Sequence, residues 1–201
     1  TLISKYVPDL ESLFTQFKTN EVDVTGLQGI TADNHEEATT LEGKTIHVEP
    51  NAFVEFIYFN LSKPQFQDKA VRKAIYHATD VATLIDIIYY GLHIPTLSYL
   101  PPSSWAYNPD VQTYPFDLEV AAAMLDEAGW LVGDDGVRAK DGVRLSFSMS
   151  TSAGNQARES SEQVLQANYR EIGIDLIIDN RPASTLWTED VPAGNFDTLM
   201  V

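Results

Sequence analysis

Cysteine is absent from the 201 residues, and basic side chains are few: 13 lysines and arginines stand against 29 aspartates and glutamates. Without cysteine the chain has neither a disulfide framework nor thiolate chemistry. The formal charge of −16 argues against nucleic acid binding, which depends on lysine and arginine to neutralise phosphates. No apolar run approaches the roughly 18 residues that a membrane-spanning helix requires. The composition predicts an acidic globular protein with a substantial core.

Signals of catalytic and metal sites are weak as well. The four histidines lie in separate predicted elements and form no His-x-x-x-His pair, so a zinc site is not expected. The glycines match neither a phosphate-binding loop nor a dinucleotide fingerprint, and no Gly-x-Ser-x-Gly elbow surrounds Ser150 or Ser152. We therefore expect neither a cofactor nor a catalytic centre.

Residues 60–80 organise the chain because they join a strand to a pair of helices. The apolar run at residues 53–59 is hydrophobic on both faces, which is typical of a central strand covered on each side. Pro64 ends that strand, and Asp68 and Asp80 are placed to cap the two helices. The apolar face of the helix pair, spaced at steps of three and four, consists of Val71, Ile75, Ala78, Ala82 and Ile85.

The same rules predict the other elements. Further helices are expected at residues 9–18, 31–41, 117–128, 156–172 and 184–191, and further strands at 21–25, 45–49, 144–150, 174–178 and 194–201. Residues 1–6 are either a short strand or an entry segment. Two Asp-Gly pairs, at 135–136 and 141–142, predict hairpins. Residues 144–178 have the length of a strand–helix–strand unit with a right-handed crossover. The fold class predicted is α/β, a mixed sheet flanked by helices.

Three blocks of sequence resemble one known family. They are residues 60–80 (with Asn60, Pro64, Phe66, Asp68, Val71, Arg72 and Asp80), the Tyr-Pro-Phe-Asp…Met-Leu-Asp-Glu-Ala-Gly-Trp segment at 114–130, and residues 151–175. In this order they resemble the peptide- and nickel-binding class of extracellular solute-binding proteins, which serve ABC importers. The resemblance implies a type II periplasmic-binding-protein-like fold, of which this chain is a fragment.

The resemblance also implies a function and a division of the chain. Residues 1–52 would be the end of the first lobe and residues 53–201 most of the second, with a hinge strand near residues 53–60. Such a protein closes two lobes around a solute, here most simply a short peptide, and delivers it to a permease. We accordingly expect a monomer at the periplasmic or extracellular face, in some members a lipoprotein, without catalysis and without nucleic acid. Residues 1–6 show no signal-peptide pattern.

Two groups of side chains are candidates for ligand contact. Ser150, Ser152 and Asn155 precede the start of the predicted helix at 156–172, where free backbone N–H groups favour an anion. Arg158 lies in the first turn of that helix, where the helix dipole favours a negative charge and not a cation. Either of two interactions would explain its position: pairing with a ligand carboxylate, or a surface salt bridge. The aromatic candidates, each either a cleft residue or a core residue, are Tyr99, Trp105, Tyr107 and Trp187.

Some alternatives stay open at the level of sequence. Glu55, inside the apolar run, is either a buried partner of Arg72 or an edge residue. The same fold also serves as the sensing module of some transcriptional regulators, which an upstream DNA-binding segment would reveal. A stand-alone α/β hydrolase is a third possibility that requires a nucleophile–base pair, and no serine–histidine arrangement in the sequence is persuasive.

Overall fold

The structure, a computed structural model, describes residues 1–26, 29–48 and 53–201. The strand predicted at 45–49 and the lobe boundary predicted after residue 52 extend into residues outside that description. The α-helices are α1 Leu10–Lys18, α2 His35–Thr39, α3 Pro64–Gln67, α4 Lys69–His77, α5 Val81–Thr83, α6 Leu118–Glu127, α7 Gln156–Glu171, α8 Ala183–Thr185 and α9 Val191–Ala193. Two π-helical turns, Leu84–Ile88 and Leu186–Asp190, continue α5 and α8. The strands are β1 Ile57–Phe59, β2 Leu131–Val132, β3 Arg138–Lys140, β4 Val143–Arg144, β5 Ser146–Ser150, β6 Asp175–Ile178 and β7 Thr198–Met200.

A mixed sheet with the strand order β1-β7-β5-β6 organises residues 53–201. β5 runs parallel to both β6 and β7, and Met149 of β5 lies opposite Thr198 of β7. β1 runs antiparallel to β7, with Ile57 opposite Met200. The carboxyl ends of β5, β6 and β7 therefore share one edge of the sheet, and β1 enters the sheet from that same edge.

Helix α7 connects the parallel strands β5 and β6, which confirms the strand–helix–strand unit predicted from the sequence. Asn155 caps the helix, since its side-chain oxygen accepts a hydrogen bond from the backbone N–H of Arg158 at 3.2 Å. Gly173 leaves the helix with φ +78°, a left-handed conformation that glycine adopts without strain. The helix therefore begins and ends at the residues that the sequence marks.

Aspartate caps begin three other helices where the sequence predicts them. Each side chain accepts a hydrogen bond from a first-turn N–H: Asp68 from Ala70 (2.9 Å), Asp80 from Thr83 (3.1 Å) and Asp117 from Val120 (2.9 Å). Pro64 is the first residue of α3 and follows an extended Lys63, as steric restriction before proline requires. The segment between β1 and α5 is thus confirmed as a strand followed by capped helices.

A small antiparallel sheet, β2-β3-β4, follows α6. Its turns contain Gly136 and Gly142 at φ +82° and +79°, which confirms the two Asp-Gly hairpin signals. Arg138 of β3 is only 4% exposed. Its guanidinium donates to three oxygens: the Ile172 and Trp130 carbonyls, each at 2.6 Å, and the Asp126 carboxylate. This side chain ties the small sheet to the ends of α6 and α7.

The two hydrophobic clusters of the structure come from different parts of the chain. The larger one draws on residues 57–200 and centres on Phe66, whose ring meets the ring of Phe147 edge-on at 4.9 Å. The smaller one is built from residues before position 48, namely Phe14, Phe17, Ala38, Ile30, Leu41 and Ile46. The buried residues of the two clusters do not overlap, so each part of the chain packs around its own apolar centre.

Several strand predictions are wrong. Residues 21–25, all of them described, form no strand, and neither do the described residues 45–48. Residues 1–6 also form no strand, which leaves the entry segment of the two alternatives. At residues 21 and 22 the backbone N–H groups donate to the Gln16 carbonyl at 2.9 and 3.3 Å, so they continue the end of α1 instead of pairing with a strand. The apolar run at 53–59 was predicted to be central, but within the described chain β1 is an edge strand of the sheet.

Two predictions about helices also need correction. The helix expected from Thr31 to 41 is shortened to α2, because residues 31–34 form a turn in which Asn34 N–H donates to the Thr31 carbonyl at 3.1 Å. Ala82, predicted to lie on a buried face, is exposed. The helical spacing does not continue from Ala78 to Ala82, because α4 ends at His77 and α5 begins only at Val81.

Candidate functional site

Two turns lie side by side at the edge of the sheet where the parallel strands end. We call residues 151–155 the β5–α7 turn and residues 179–182 the β6–α8 turn. The N–H of Ala153 donates to the Arg181 carbonyl at 2.8 Å, and the N–H of Arg181 donates to the Thr151 carbonyl at 3.2 Å. Open α/β sheets bind ligands outside the carboxyl ends of their strands. The joined turns are therefore the candidate ligand-facing element of this lobe.

Ser152 and Trp187, both predicted ligand residues, are brought together at these turns. The indole Nε1 of Trp187 donates to the Ser152 hydroxyl at 2.9 Å. Trp187 is 40% exposed, whereas its neighbour Leu186 is fully buried and anchors the π-helical turn that carries both. The indole therefore presents a fixed apolar face beside a polar turn, which is the combination that ligand clefts use.

Arg158 makes a two-pronged ion pair with Glu55. Its Nε and Nη2 donate to the two carboxylate oxygens of Glu55, each at 2.8 Å. Glu55 lies just before β1, and β1 enters the sheet at the ligand-side edge. Of the two alternatives left open for Glu55, the pairing with Arg72 is not formed, because the Arg72 guanidinium instead donates to the Phe66 carbonyl. A salt bridge within the chain, the alternative to a ligand contact for Arg158, is thus formed in this structure.

The start of α7 is already supplied with acceptors from the chain itself. The Asn155 side chain accepts from Arg158 N–H at 3.2 Å, and the Glu159 carboxylate accepts from Gly154 N–H at 2.7 Å. A ligand anion at this helix end has to compete with Glu159. Ser150, another predicted ligand residue, is 1% exposed.

The long loop at residues 91–117 keeps its predicted aromatics away from these contacts. Trp105 is 98% exposed and Tyr99 is 71% exposed, while Tyr107 is half-buried. Among the residues that the structure describes, none of these rings makes a hydrogen bond or ring contact with the β5–α7 turn. Trp105 and Tyr107 remain predictions as ligand contacts.

Sequence reasoning missed a buried carboxyl beneath the β5–α7 turn. Glu162 of α7 is fully buried, and its Oε2 accepts a hydrogen bond from the Asn180 side chain at 2.6 Å. The oxygen of that same amide accepts from the N–H of Thr151 at 2.9 Å. Burial raises the pKa of Glu162 to about 7, although the Asn180 hydrogen bond opposes the shift. The available signal was helical spacing: Glu162 precedes Leu165 and Tyr169, both buried, by three and seven residues.

Arg181 is a second residue that the sequence did not single out. Its Nε donates to Asp179 at 3.1 Å, and its Nη1 lies 2.9 Å from Asp190 Oδ2. The hydrogen bonds to Asp179 and Asp190 raise the pKa of the Arg181 guanidinium above its usual value. Arg181 therefore fixes the β6–α8 turn to the π-helical turn that carries Trp187. The sequence signal was its place three residues after the end of a predicted strand.

The arrangement supplies hydrogen bonds, an aromatic face and charge, the ordinary means of binding a solute. Over residues 1–26, 29–48 and 53–201, no three potential metal-ligating side chains converge. The helices described are all too short or too polar to cross a membrane.

The mixed sheet flanked by helices has the type II periplasmic-binding-protein fold. The chain belongs to a family described as bacterial extracellular solute-binding proteins, family 5 Middle, whose profile matches residues 1–201. The resemblance carried by the three sequence blocks is thereby confirmed.

Individual relatives agree with the family. The oligopeptide-binding protein AppA of Bacillus subtilis is 28% identical over 207 residues, which cover 100% of this chain and 37% of AppA. The structure of AppA in complex with a nonapeptide matches with a TM-score of 0.83 and 26% identity, over 97% of this chain and 39% of that one. NikA from Brucella suis in complex with Fe(III)-EDTA matches with a TM-score of 0.86 and 27% identity, over 97% and 40%. The chain thus spans about two fifths of these relatives.

Proposed function

We propose that the full-length protein is the substrate-binding component of an ABC importer, which captures a solute between two lobes outside the cytoplasm and delivers it to a permease. Family membership along all 201 residues carries this proposal. A short peptide is the favoured ligand, because AppA is named an oligopeptide-binding protein and its solved complex holds a nonapeptide. A metal chelate is the second ligand class, given the Fe(III)-EDTA bound to NikA. The sensor and hydrolase alternatives gain no support from these relatives.

The ligand contacts that we propose belong to one half of a cleft. The residues are Ser150, Ser152, Asn155, Arg158, Trp105, Tyr107 and Trp187. The hydrogen bond between Trp187 and Ser152 supports the turn as the centre of this set. A direct contact between Arg158 and a ligand carboxylate requires the ligand to replace or share Glu55, because both oxygens of Glu55 are engaged by the guanidinium.

We also propose the division into an end of a first lobe, residues 1–52, and a second lobe, residues 53–201, with a hinge strand near 53–60. The separate hydrophobic clusters support this division, since each uses residues from one side of it only. Native-state hydrogen exchange of the full-length protein tests it. Amides of α1 and amides of α4 should open with two distinct free energies; one common opening free energy would contradict the division.

Binding without catalysis, as a monomer working with a permease, completes the proposal. No nucleic acid partner is expected, because the formal charge of the chain is −16. Inertness of the purified full-length protein towards generic ester and peptide substrates would agree with it, whereas turnover that copurifies with the protein would contradict it.

A thermal-shift panel tests the ligand class. The full-length protein, stripped of bound solute by partial unfolding and refolding, is heated with trialanine, with a pool of longer peptides, with nickel–histidine and with maltose. A ligand that binds only the folded state raises the midpoint. The proposal predicts a rise with the peptides; a rise with maltose alone would contradict the peptide assignment.

A further inference from the structure

A continuous run of hydrogen bonds connects the buried carboxyl of Glu162 to the backbone of the β5–α7 turn. Glu162 accepts from the Asn180 amide at 2.6 Å, and that amide accepts from the N–H of Thr151 at 2.9 Å. Asn180 lies in the β6–α8 turn, so the run crosses from helix α7 through one ligand-side turn to the other. The carboxyl therefore acts on the turn through one intermediate side chain.

Glu162 and Thr151 each also have a buried side-chain oxygen that makes no hydrogen bond in the described structure. Within the described part of the chain, neither Oε1 of Glu162 nor the hydroxyl of Thr151 has a hydrogen-bond partner. Ionised carboxyl oxygens only accept, whereas a protonated carboxyl has an O–H to donate. When Glu162 is ionised, a buried negative charge has Asn180 as its side-chain donor. When Glu162 is protonated, the charge is absent and the hydrogen bond from Asn180 is kept.

Two charged side chains of the same helix act on the Glu162 carboxyl: Arg158 favours the ionised carboxylate, and Glu159 disfavours it. The elements next to α7 carry further titratable groups. They are Glu55 in the segment before β1, Asp179 and Arg181 in the β6–α8 turn, and Tyr89 with the stacked His93 after the first π-helical turn. Glu55 is paired with Arg158, and Asp179 with Arg181. Among these neighbours the positive charges are already engaged by carboxylates other than Glu162.

We propose that Glu162 is a positioning residue for the β5–α7 turn, which holds the Thr151 backbone through Asn180 and moves it when the carboxyl gains or loses its proton. The proposal rests on the proposed function, in which that turn faces the ligand. Hydrogen bonds to an ionised acceptor are stronger than neutral ones, and bonds in series polarise one another. Ionised Glu162 tightens the bond from Thr151 N–H to Asn180, and neutral Glu162 loosens it. Because burial raises the pKa of Glu162 to about 7, both states are reached near neutral pH.

Nuclear magnetic resonance of the full-length protein labelled with 15N-threonine tests this proposal without any ligand. The Thr151 amide signal is assigned by its loss in Thr151→Ser and followed from pH 5 to pH 9. We expect its proton to move downfield as pH rises, with a midpoint near the pKa of Glu162. Glu162→Gln, which keeps an oxygen for Asn180, should abolish this titration. Glu171→Gln, at the exposed end of the same helix, should leave it unchanged.

The positioning role of Glu162 is tested independently of ligand binding. A flat Thr151 signal in the wild type, or a titration that persists in Glu162→Gln, would overturn the positioning role even if peptides bind. Conversely, a protein that binds no peptide can still show the titration. Should Glu162→Gln fail to fold, 13C labelling of glutamate carboxyls in the wild type replaces it. A buried carboxyl that titrates together with Thr151 supports the proposal, and the absence of one at that midpoint contradicts it.

Discussion

Arg158 holds Glu55 through two hydrogen bonds of 2.8 Å across a separation of 103 residues. The contact joins the first turn of α7 to the segment that enters β1 at the ligand-side edge. Both side chains are partly shielded from solvent, at 20% and 37% exposure. It thus links the predicted hinge segment to the helix that begins at the candidate ligand-facing turn.

Replacing the two-pronged guanidinium of Arg158 with a single ammonium group should weaken its contact with Glu55. Arg158→Lys is expected to lower the free energy of unfolding by about 1 kcal/mol, because lysine cannot reproduce the two-pronged contact and the site is partly exposed. Denaturant unfolding of the full-length protein measures the change, with Arg170→Lys on the exposed face of the same helix as the control. Equal effects of the two substitutions would show that the Glu55 contact adds nothing.

Glu162 should make the folded protein less stable as pH rises. Burial raises the pKa of Glu162 from 4.5 to about 7, so between these values the folded state holds more protons than the unfolded state. The associated stability is present in full below pH 4.5 and is lost as pH rises through 7. Glu162→Gln should therefore be more stable than wild type at pH 8, by at most roughly 3–4 kcal/mol, since each pKa unit corresponds to about 1.4 kcal/mol.

Unfolding free energies of wild type and Glu162→Gln at pH 5 and at pH 8 check this expectation. The advantage of the variant should be several times larger at pH 8. Glu171→Gln, which is exposed, is expected to show the same small effect at both values. If the variant's stability advantage over wild type were larger at pH 5 than at pH 8, the raised pKa of Glu162 in the folded state would be contradicted.

The hydrogen bond from Trp187 to Ser152 should fix the indole beside the β5–α7 turn. Trp187→Phe and Ser152→Ala each remove it, and each should lower the fraction of full-length protein that retains a ligand through purification. In a double-mutant cycle the two losses should fall short of additive, because both single variants remove one shared contact. Fully additive losses would mean that Trp187 and Ser152 act independently on the ligand.

Arg138 should be far more important for stability than its exposed counterpart Arg144. Arg138→Met leaves two carbonyls and a carboxylate without their buried donor, and we expect a loss of about 2–4 kcal/mol. Arg144→Met removes an ion pair to Asp135 in which both side chains are half exposed, so a loss under about 1 kcal/mol is expected. Comparable losses in denaturant unfolding would contradict the tying role of Arg138.

Local chemistry made much of the fold predictable. Asp68, Asp80 and Asp117 cap helices, Gly173 ends α7, and the Asp-Gly turns form hairpins, because each effect depends on residues within a few positions. The strand predicted at 21–25 failed for the complementary reason. Its alternation was correct for a strand, but a strand needs a partner, and these N–H groups continue the end of α1.

The candidate site was less predictable because its contacts join distant residues. Ser152 and Trp187 were both named from the sequence, but their hydrogen bond spans 35 positions. For Glu55 the sequence left open a pairing with Arg72 or a place at the edge, whereas the fold brings it to Arg158. The buried face of α7 runs through Glu162, Leu165 and Tyr169, and the sequence analysis did not single out the carboxyl on that face.

Native mass spectrometry of the gently purified full-length protein tests the central claim, that this chain is part of a solute-binding protein for peptides. The account predicts a mass excess that, on release, resolves into a ladder of short peptides. A single small mass would retain solute binding but contradict the peptide assignment. No retained mass, together with no thermal shift across the ligand panel, would contradict the binding function itself.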